Sequence, residues 1–154
     1  MRLQPHEKTD EMFASIKRIS DESFTGVEVP PVHFLRQQFD IGDVFIQRDR
    51  RWPPVESGKV IAFAILARKF GEPYIWSLAT DKAWRKKGLA SLLLGEIDER
   101  VKEIPNRVIG IGLTTHVDNP AQKLYFDHGY RVKNVLDNFY FGADGLFMRK
   151  EIIC

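Results

Sequence analysis

The chain is poor in cysteine: its 154 residues include one, Cys154, at the last position. One cysteine closes no internal disulfide, so the sequence reads as a protein of a reducing compartment, with Cys154 an exposed free thiol. Long apolar runs are missing too. Nothing approaches the roughly 20 apolar residues of a membrane-crossing helix, and the start, MRLQPHEKTDEM, holds no apolar leader segment. The expectation is a cytoplasmic protein that meets no membrane. Net charge is nearly absent: 23 Lys and Arg against 21 Asp and Glu leave +2. The chain as a whole is therefore no polyanion binder, and any electropositive site is local. Internal repeats, low-complexity tracts and linkers are lacking as well.

What remains is an ordinary globular composition, 44% hydrophobic and 29% charged. The length suits one domain over residues 1–154 with a single core. Met12, Phe13, Ile16 and Ile19 repeat at helical spacing, with Asp10 placed to cap the start. A loop rich in glycine and proline follows. A second helix from Pro31 or Val32 to about Phe39 carries Phe34, Leu35 and Phe39 on one face. The period then changes. Asp43–Arg48 reads as a strand, and Lys59–Phe70 is apolar on both alternating sets, the pattern of a strand covered on both faces. Gly71-Glu72-Pro73 turns the chain into a strand at Tyr74–Thr80.

After Thr80 comes a basic turn, Arg85-Lys86-Lys87-Gly88-Leu89-Ala90, that opens an amphipathic helix. Leu89, Leu93, Ile97 and Val101 recur every four residues, with Leu92 and Ile104 beside them. Val108–Leu113 is a short strand with two glycines. Asn119-Pro120 reads as a cap with proline at the first helical position, and Gly129 as the stop. Tyr130–Val135 and Asn138–Phe141 look like strand, Gly142–Gly145 is a turn, and Leu146–Ile152 is a last strand. The order is α-α-β-β-β-α-β-α-β-β, with room for a first strand at residues 1–5. The fold class is α/β (α+β): a mixed sheet with helices on its faces.

The basic turn is built to hold a phosphate. A helix start presents backbone N–H groups without intrahelical partners and the positive end of the helix dipole. Gly88 lets a ligand approach the backbone, and Ala90 keeps the next turn small. Arg85, Lys86 and Lys87 add charge, and Ser91 adds a hydroxyl. The bland alternative is a solvated RKK run before an ordinary helix. Two phosphate motifs are excluded. No G-x-x-x-x-G-K-[ST] occurs, and Gly110-Ile111-Gly112 lacks the third glycine and the following helix of a dinucleotide fingerprint.

Leu78-Ala79-Thr80-Asp81-Lys82-Ala83-Trp84-Arg85-Lys86-Lys87-Gly88-Leu89-Ala90 resembles the acyl-CoA signature of the GNAT superfamily of N-acetyltransferases: a strand, an aromatic, then [QR]-x-x-G-x-[GA] opening a helix. Asn119–Tyr130 resembles that family's second motif, N-x-x-A-x-x-L-Y-x-x-x-G-[FY]. The two stand in the family's order, and only the first ~40 residues match loosely. The resemblance implies a GNAT-type sheet whose central strands splay apart, with acetyl-CoA in the gap. It implies that Leu78, Ala79 and Thr80 meet the pantetheine arm. Amides from Arg85 to Ala90, with Ser91, would hold the pyrophosphate, and Asn119, Ala121 and Tyr125 would meet the far side. Tyr125 stands where the family places a general acid. The position of a glutamate base in some members falls here on Thr114, which cannot serve. His116 is the nearby candidate, since a histidine's ordinary pKa, about 6.5, suits the task. The tail resembles that of protein N-terminal acetyltransferases, and so implies Phe139 and Tyr140 at an acceptor gate. Phe24 and Val29-Pro30-Pro31 match a substrate loop more weakly. The implied partners are acetyl-CoA and an amine acceptor, either a peptide N-terminus or a small molecule, with no nucleic acid, in a monomer or homodimer. A non-catalytic acyl-CoA module is the second class. A nucleic-acid binder using Arg85–Lys87 is the third, opposed by the near-zero net charge.

Overall fold

The computed structural model describes residues 1–24, 29–51, 58–104 and 110–152. Helix α1 spans Asp10–Ser23. Its cap is Thr9, not Asp10: the Thr9 hydroxyl accepts the Met12 amide at 3.1 Å. Asp10 is instead the first helical residue, where a carboxylate suits the dipole, and it pairs with Arg36 at 2.8 Å. Helix α2 spans Val32–Ile41. The two helices bury Met12, Phe13, Ile16, Ile19, Leu35 and Phe39 against one face of the sheet, where they meet Val44, Ile46, Phe63 and Ile65.

Strands β1 (Asp43–Arg48), β2 (Val60–Lys69), β3 (Glu72–Thr80), β4 (Gly110–His116), β5 (Arg131–Leu136) and β6 (Gly145–Glu151) form one mixed sheet in the order β1-β2-β3-β4-β6-β5. Only β3 and β4 run parallel. Residues from Ile61 to Ile65 are all buried, as a strand covered on both faces requires. The expected first strand shrinks to one antiparallel bridge, Arg2 with Phe45. The β2–β3 connection is tighter than expected. Phe70 (φ +52°) and Gly71 (φ +83°) alone make the turn, both left-handed, the geometry that matches strand twist in a two-residue hairpin. Pro73 thereby joins β3 near its start, where a missing N–H costs no rung.

Helix α3 (Leu89–Glu103) packs on the opposite face through Leu93, Leu94, Ile97 and Val101. Burial of such side chains stabilises by roughly 1.5–3 kcal/mol each, so these four fix the rotation of the helix. Leu92 faces solvent at 55% exposure, and Leu94 takes the place expected of it. Helix α4 (Gln122–Asp127) begins two residues later than expected, and Gly129 (φ +95°) ends the turn that follows it. The expected strand at Asn138–Phe141 is a turn. Asn138 and Phe141 have positive φ, the Asn138 amide donates to Asp144 Oδ1 at 2.9 Å, and the Asn138 side chain accepts the Gly142 amide. Asparagine and aspartate bonds to the backbone outweigh the strand preference of the aromatics there. Strand β4, in contrast, runs further than expected, through Thr114, Thr115 and His116, because β6 continues to pair with it up to His116↔Gly145. Its expected first residues, Val108 and Ile109, lie outside the described residues, as does Cys154. No helix among the described residues is long and apolar enough to cross a membrane.

Candidate active site

The sheet is interrupted at its centre. Strands β3 and β4 pair only at Tyr74↔Gly112 and Ile75↔Leu113, then diverge. A bulge helps to part them: the β2–β3 register passes from Ile65↔Ser77 to Leu66↔Ile75 and leaves Trp76 as the extra residue. The gap opens into a cleft of about 880 Å³, within the size range of ligand sites. Leu78, Ala79 and Thr80 line one wall, and Thr114, Thr115 and His116 the other.

At the cofactor end, buried Asp81 sets the turn. Its carboxylate accepts the Ala83 amide at 3.0 Å and pairs with Arg18 at 2.9 Å and Lys59 at 3.4 Å. Burial opposes ionisation, but the amide and the two cations together hold its pKa below the usual carboxylate value. A 3-10 turn at Lys82–Trp84 follows, then Lys86 (φ +62°) and Gly88 (φ +79°), both left-handed, before α3 begins at Leu89. A Cβ built on Gly88 meets nothing within 4 Å. The turn is thus concave and open in front of the free amides of the first turn of α3, as a diphosphate requires. Arg85, Lys86, Gly88, Leu89, Ala90 and Ser91 line the cleft, while Lys87 stays outside it. Arg85 donates to the Thr80 carbonyl at 3.3 Å and to Ser23 Oγ at 3.4 Å. Ser91 Oγ lies 3.1 Å from His128 Nε2.

From the α4 side come Asn119, Ala121, Leu124 and Tyr125. Asn119 Oδ1 accepts the Ala121 amide at 2.8 Å, a cap-like bond just ahead of the helix. Tyr125 is buried, edge-on to Tyr130 at 6.1 Å. Burial, reinforced by nearby Tyr140, pushes its phenol far above the ordinary tyrosine value. Thr115 Oγ1 is buried among these residues without a hydrogen-bond partner. The open backbone at Gly88 and this orphaned hydroxyl both fit a long, polar, extended ligand in the gap.

Phe24, Pro30, Trp76 and Tyr140 also line the cleft, as does Ser23 beside Arg85. Phe139 does not reach the cleft. It packs behind Tyr140 at 4.9 Å and is 46% exposed. His116 stacks on Tyr140 at 5.3 Å, and its Nδ1 accepts the Asp118 amide at 3.0 Å. Sequence reasoning missed Tyr74 and Trp76. The Tyr74 hydroxyl donates to Thr114 Oγ1 at 2.5 Å, and Trp76 lines the cleft. Their spacing gave a strand, and only the bulge turns Trp76 and Ser77 to one side.

The model of the "Acetyltransferase (GNAT) domain" matches residues 41–132. No curated protein sequence matches the chain. Among solved structures, a chain of the NatC complex bound to Gag peptide and CoA is 22% identical, with 99% of this chain and 97% of that one covered and a TM-score of 0.77. NAA60 of Arabidopsis thaliana, in complex with a bisubstrate analogue, is 21% identical, with 94% and 96% covered and a TM-score of 0.79. Ard1 of Thermoplasma volcanium is 18% identical, with 100% and 97% covered and a TM-score of 0.77. At these identities the likeness speaks for the fold alone. The family match spans the splayed strands, the left-handed turn at Gly88 and the helix of Tyr125, and with it this chain belongs to the GNAT acetyltransferases.

Proposed function

We propose that the chain is an acetyl-CoA-dependent N-acetyltransferase whose acceptor is a primary amine, the α-amine of a peptide N-terminus. The cosubstrate is acetyl-CoA. The observation that carries the proposal is the continuity of the cleft. One cavity joins the turn at Arg85–Ala90, the Tyr125 phenol and an aromatic mouth of Phe24, Trp76 and Tyr140. When bound, acetyl-CoA supplies a thioester carbonyl to attack and a thiolate to leave. The turn amides with Arg85 and Lys86 hold its diphosphate, and Leu78–Thr80 offer unpaired strand backbone to its amide-bearing arm.

Tyr125 gives its hydroxyl proton to the departing sulfur, and the proton shed by the attacking amine nitrogen, passed through solvent, restores the phenol. Burial raises its pKa, so the phenol is protonated and able to donate at neutral pH. No carboxylate stands at Thr114, and His116 is held through Nδ1. The acceptor must therefore arrive largely neutral. An α-amine, with a pKa of about 7.7–8.0, meets that requirement far better than a lysine side chain at about 10.4. The NatC and NAA60 structures, with a peptide and a bisubstrate analogue, lend the same direction.

The absent carboxylate also favours a second reading, a non-catalytic acyl-CoA module. Thiol release from acetyl-CoA with a panel of peptides and small amines separates the two, alongside calorimetry with CoA. Peptide-dependent release supports the enzyme. CoA binding with no turnover across the panel removes it.

A further inference from the structure

The face of β3 toward α2 carries a charge that neither the turn nor Tyr125 uses. Trp76 packs edge-on against Phe34 of α2, with centroids 5.4 Å apart, and against Tyr74 at 4.7 Å. One cation lies over this pair. Lys69 Nζ stands 4.5 Å from the Tyr74 centroid and 5.3 Å from that of Trp76. The residue is half-buried, and burial draws its ammonium below the ordinary lysine pKa. Its register partner is Glu72, but Glu72 is engaged: its oxygens receive Arg149 at 2.8 and 3.2 Å. Among the described residues, no carboxylate lies within ion-pairing distance of Lys69.

Ring faces attract a cation without neutralising it, at about 0.5–1 kcal/mol each where water has access. A half-buried ammonium held only by rings still lacks an anion. Trp76 is itself part of the cleft wall, so this cation stands one side chain behind the acceptor mouth.

We propose that Lys69 sets acceptor specificity by pairing with a carboxylate on the first or second residue of the incoming peptide, so that acidic N-termini are the preferred substrates. This rests on the acetyltransferase reading above. The four-carbon stem lets the ammonium slide off the rings toward the mouth while the stem keeps its apolar contact. Glu72 leaves room for a ligand anion because Arg149 already holds it.

The test compares peptides carrying Glu, Gln or Lys at the first and at the second position, at equal length. An exposed or half-exposed ion pair supports a preference of about fivefold in kcat/KM for Glu over Gln. Lys peptides fall below Gln peptides, and raising salt shrinks the ratio. In Lys69→Gln the Glu-to-Gln ratio falls to about one, and in Lys69→Arg, which keeps the charge and the stacking, it persists. Calorimetry with CoA on each variant reports that the fold survives. A wild-type ratio near one at both positions overturns the proposal, and so does a ratio that Lys69→Gln leaves intact. Absence of turnover on every peptide removes the acetyltransferase reading and this one with it. That outcome is distinct from turnover without acidic preference, which removes only the role of Lys69.

Discussion

Gly88→Ala tests the turn most sharply, because its two effects separate. The left-handed φ of +79° strains any L side chain, at about 1–2 kcal/mol. For a chain of this size that strain lowers Tm by roughly 2–8 °C. No protein atom lies within 4 Å of the new methyl, so clash adds nothing. Because Gly88 lines the cleft, the methyl is expected to occupy space in front of the first amides of α3. Displacing a diphosphate from one charge-assisted hydrogen bond costs about 1.5–3 kcal/mol. That weakens CoA binding by roughly ten- to a hundredfold. Gly71→Ala is the matched control. It has the same hand (φ +83°) and the same open surroundings, but it sits at the β2–β3 hairpin tip and does not line the cleft. Gly95→Ala, inside α3 with open space around it, is the opposite control and gains about 0.5–1 kcal/mol. Thermal unfolding without ligand should show Gly88→Ala and Gly71→Ala falling together while Gly95→Ala rises. Titration calorimetry with CoA should then single out Gly88→Ala. If Gly88→Ala loses stability like Gly71→Ala yet binds CoA as the wild type does, the turn is not the phosphate cradle.

Three further outcomes follow from the site. Tyr125→Phe should lower kcat by about a hundredfold or more, the scale of general acid catalysis, with CoA affinity little changed. Because burial keeps the Tyr125 phenol protonated well past its ordinary range, the wild-type rate should climb through the acceptor amine's pKa and show no alkaline fall below about pH 10. A descending limb near pH 9 would remove Tyr125 as the acid. Asp81→Asn should destabilise the chain and flatten its acid unfolding limb. The folded pKa of Asp81 is depressed, so its contribution is present above the ordinary carboxylate value, about 3.9, and is lost as pH falls through the lower folded value. Urea midpoints from pH 7 to 3 on both proteins would measure this.

Much of the fold was legible because its signals are local. The two-sided apolar run of β2 and the four-residue repeat of α3 each report their burial without reference to the rest of the chain. The turn and Tyr125 were legible as residues that resemble a family's motifs. The aromatic side of the cleft was legible only in part: Phe24, Pro30 and Tyr140 came with the same resemblance, whereas Trp76 did not. Trp76 enters the cleft wall through a bulge fixed by pairing between β2 and β3, and Lys69 lies over its ring from the neighbouring strand. Asn138–Phe141 was misread because strand propensity counts rings, whereas the outcome there depends on what Asn138 and Asp144 can hold. His116 looked like a loop base. Its place on β4, stacked on Tyr140 with Nδ1 engaged, depends on β6, which lies some thirty residues away in sequence.

The two rungs between β3 and β4 have one more consequence. A continuous six-stranded sheet has two free edges, whereas this one has four, two of them facing each other at its middle. Inner edges of this kind invite foreign strands, the hazard that proteins usually manage by charge, bulge or cover. Here the bulge at Trp76 twists one edge, and the recess of the cleft shields both from a flat approach. An extended, amide-bearing ligand in that recess would also act as a guard against aggregation, so the chain's solubility should track the supply of its cosubstrate.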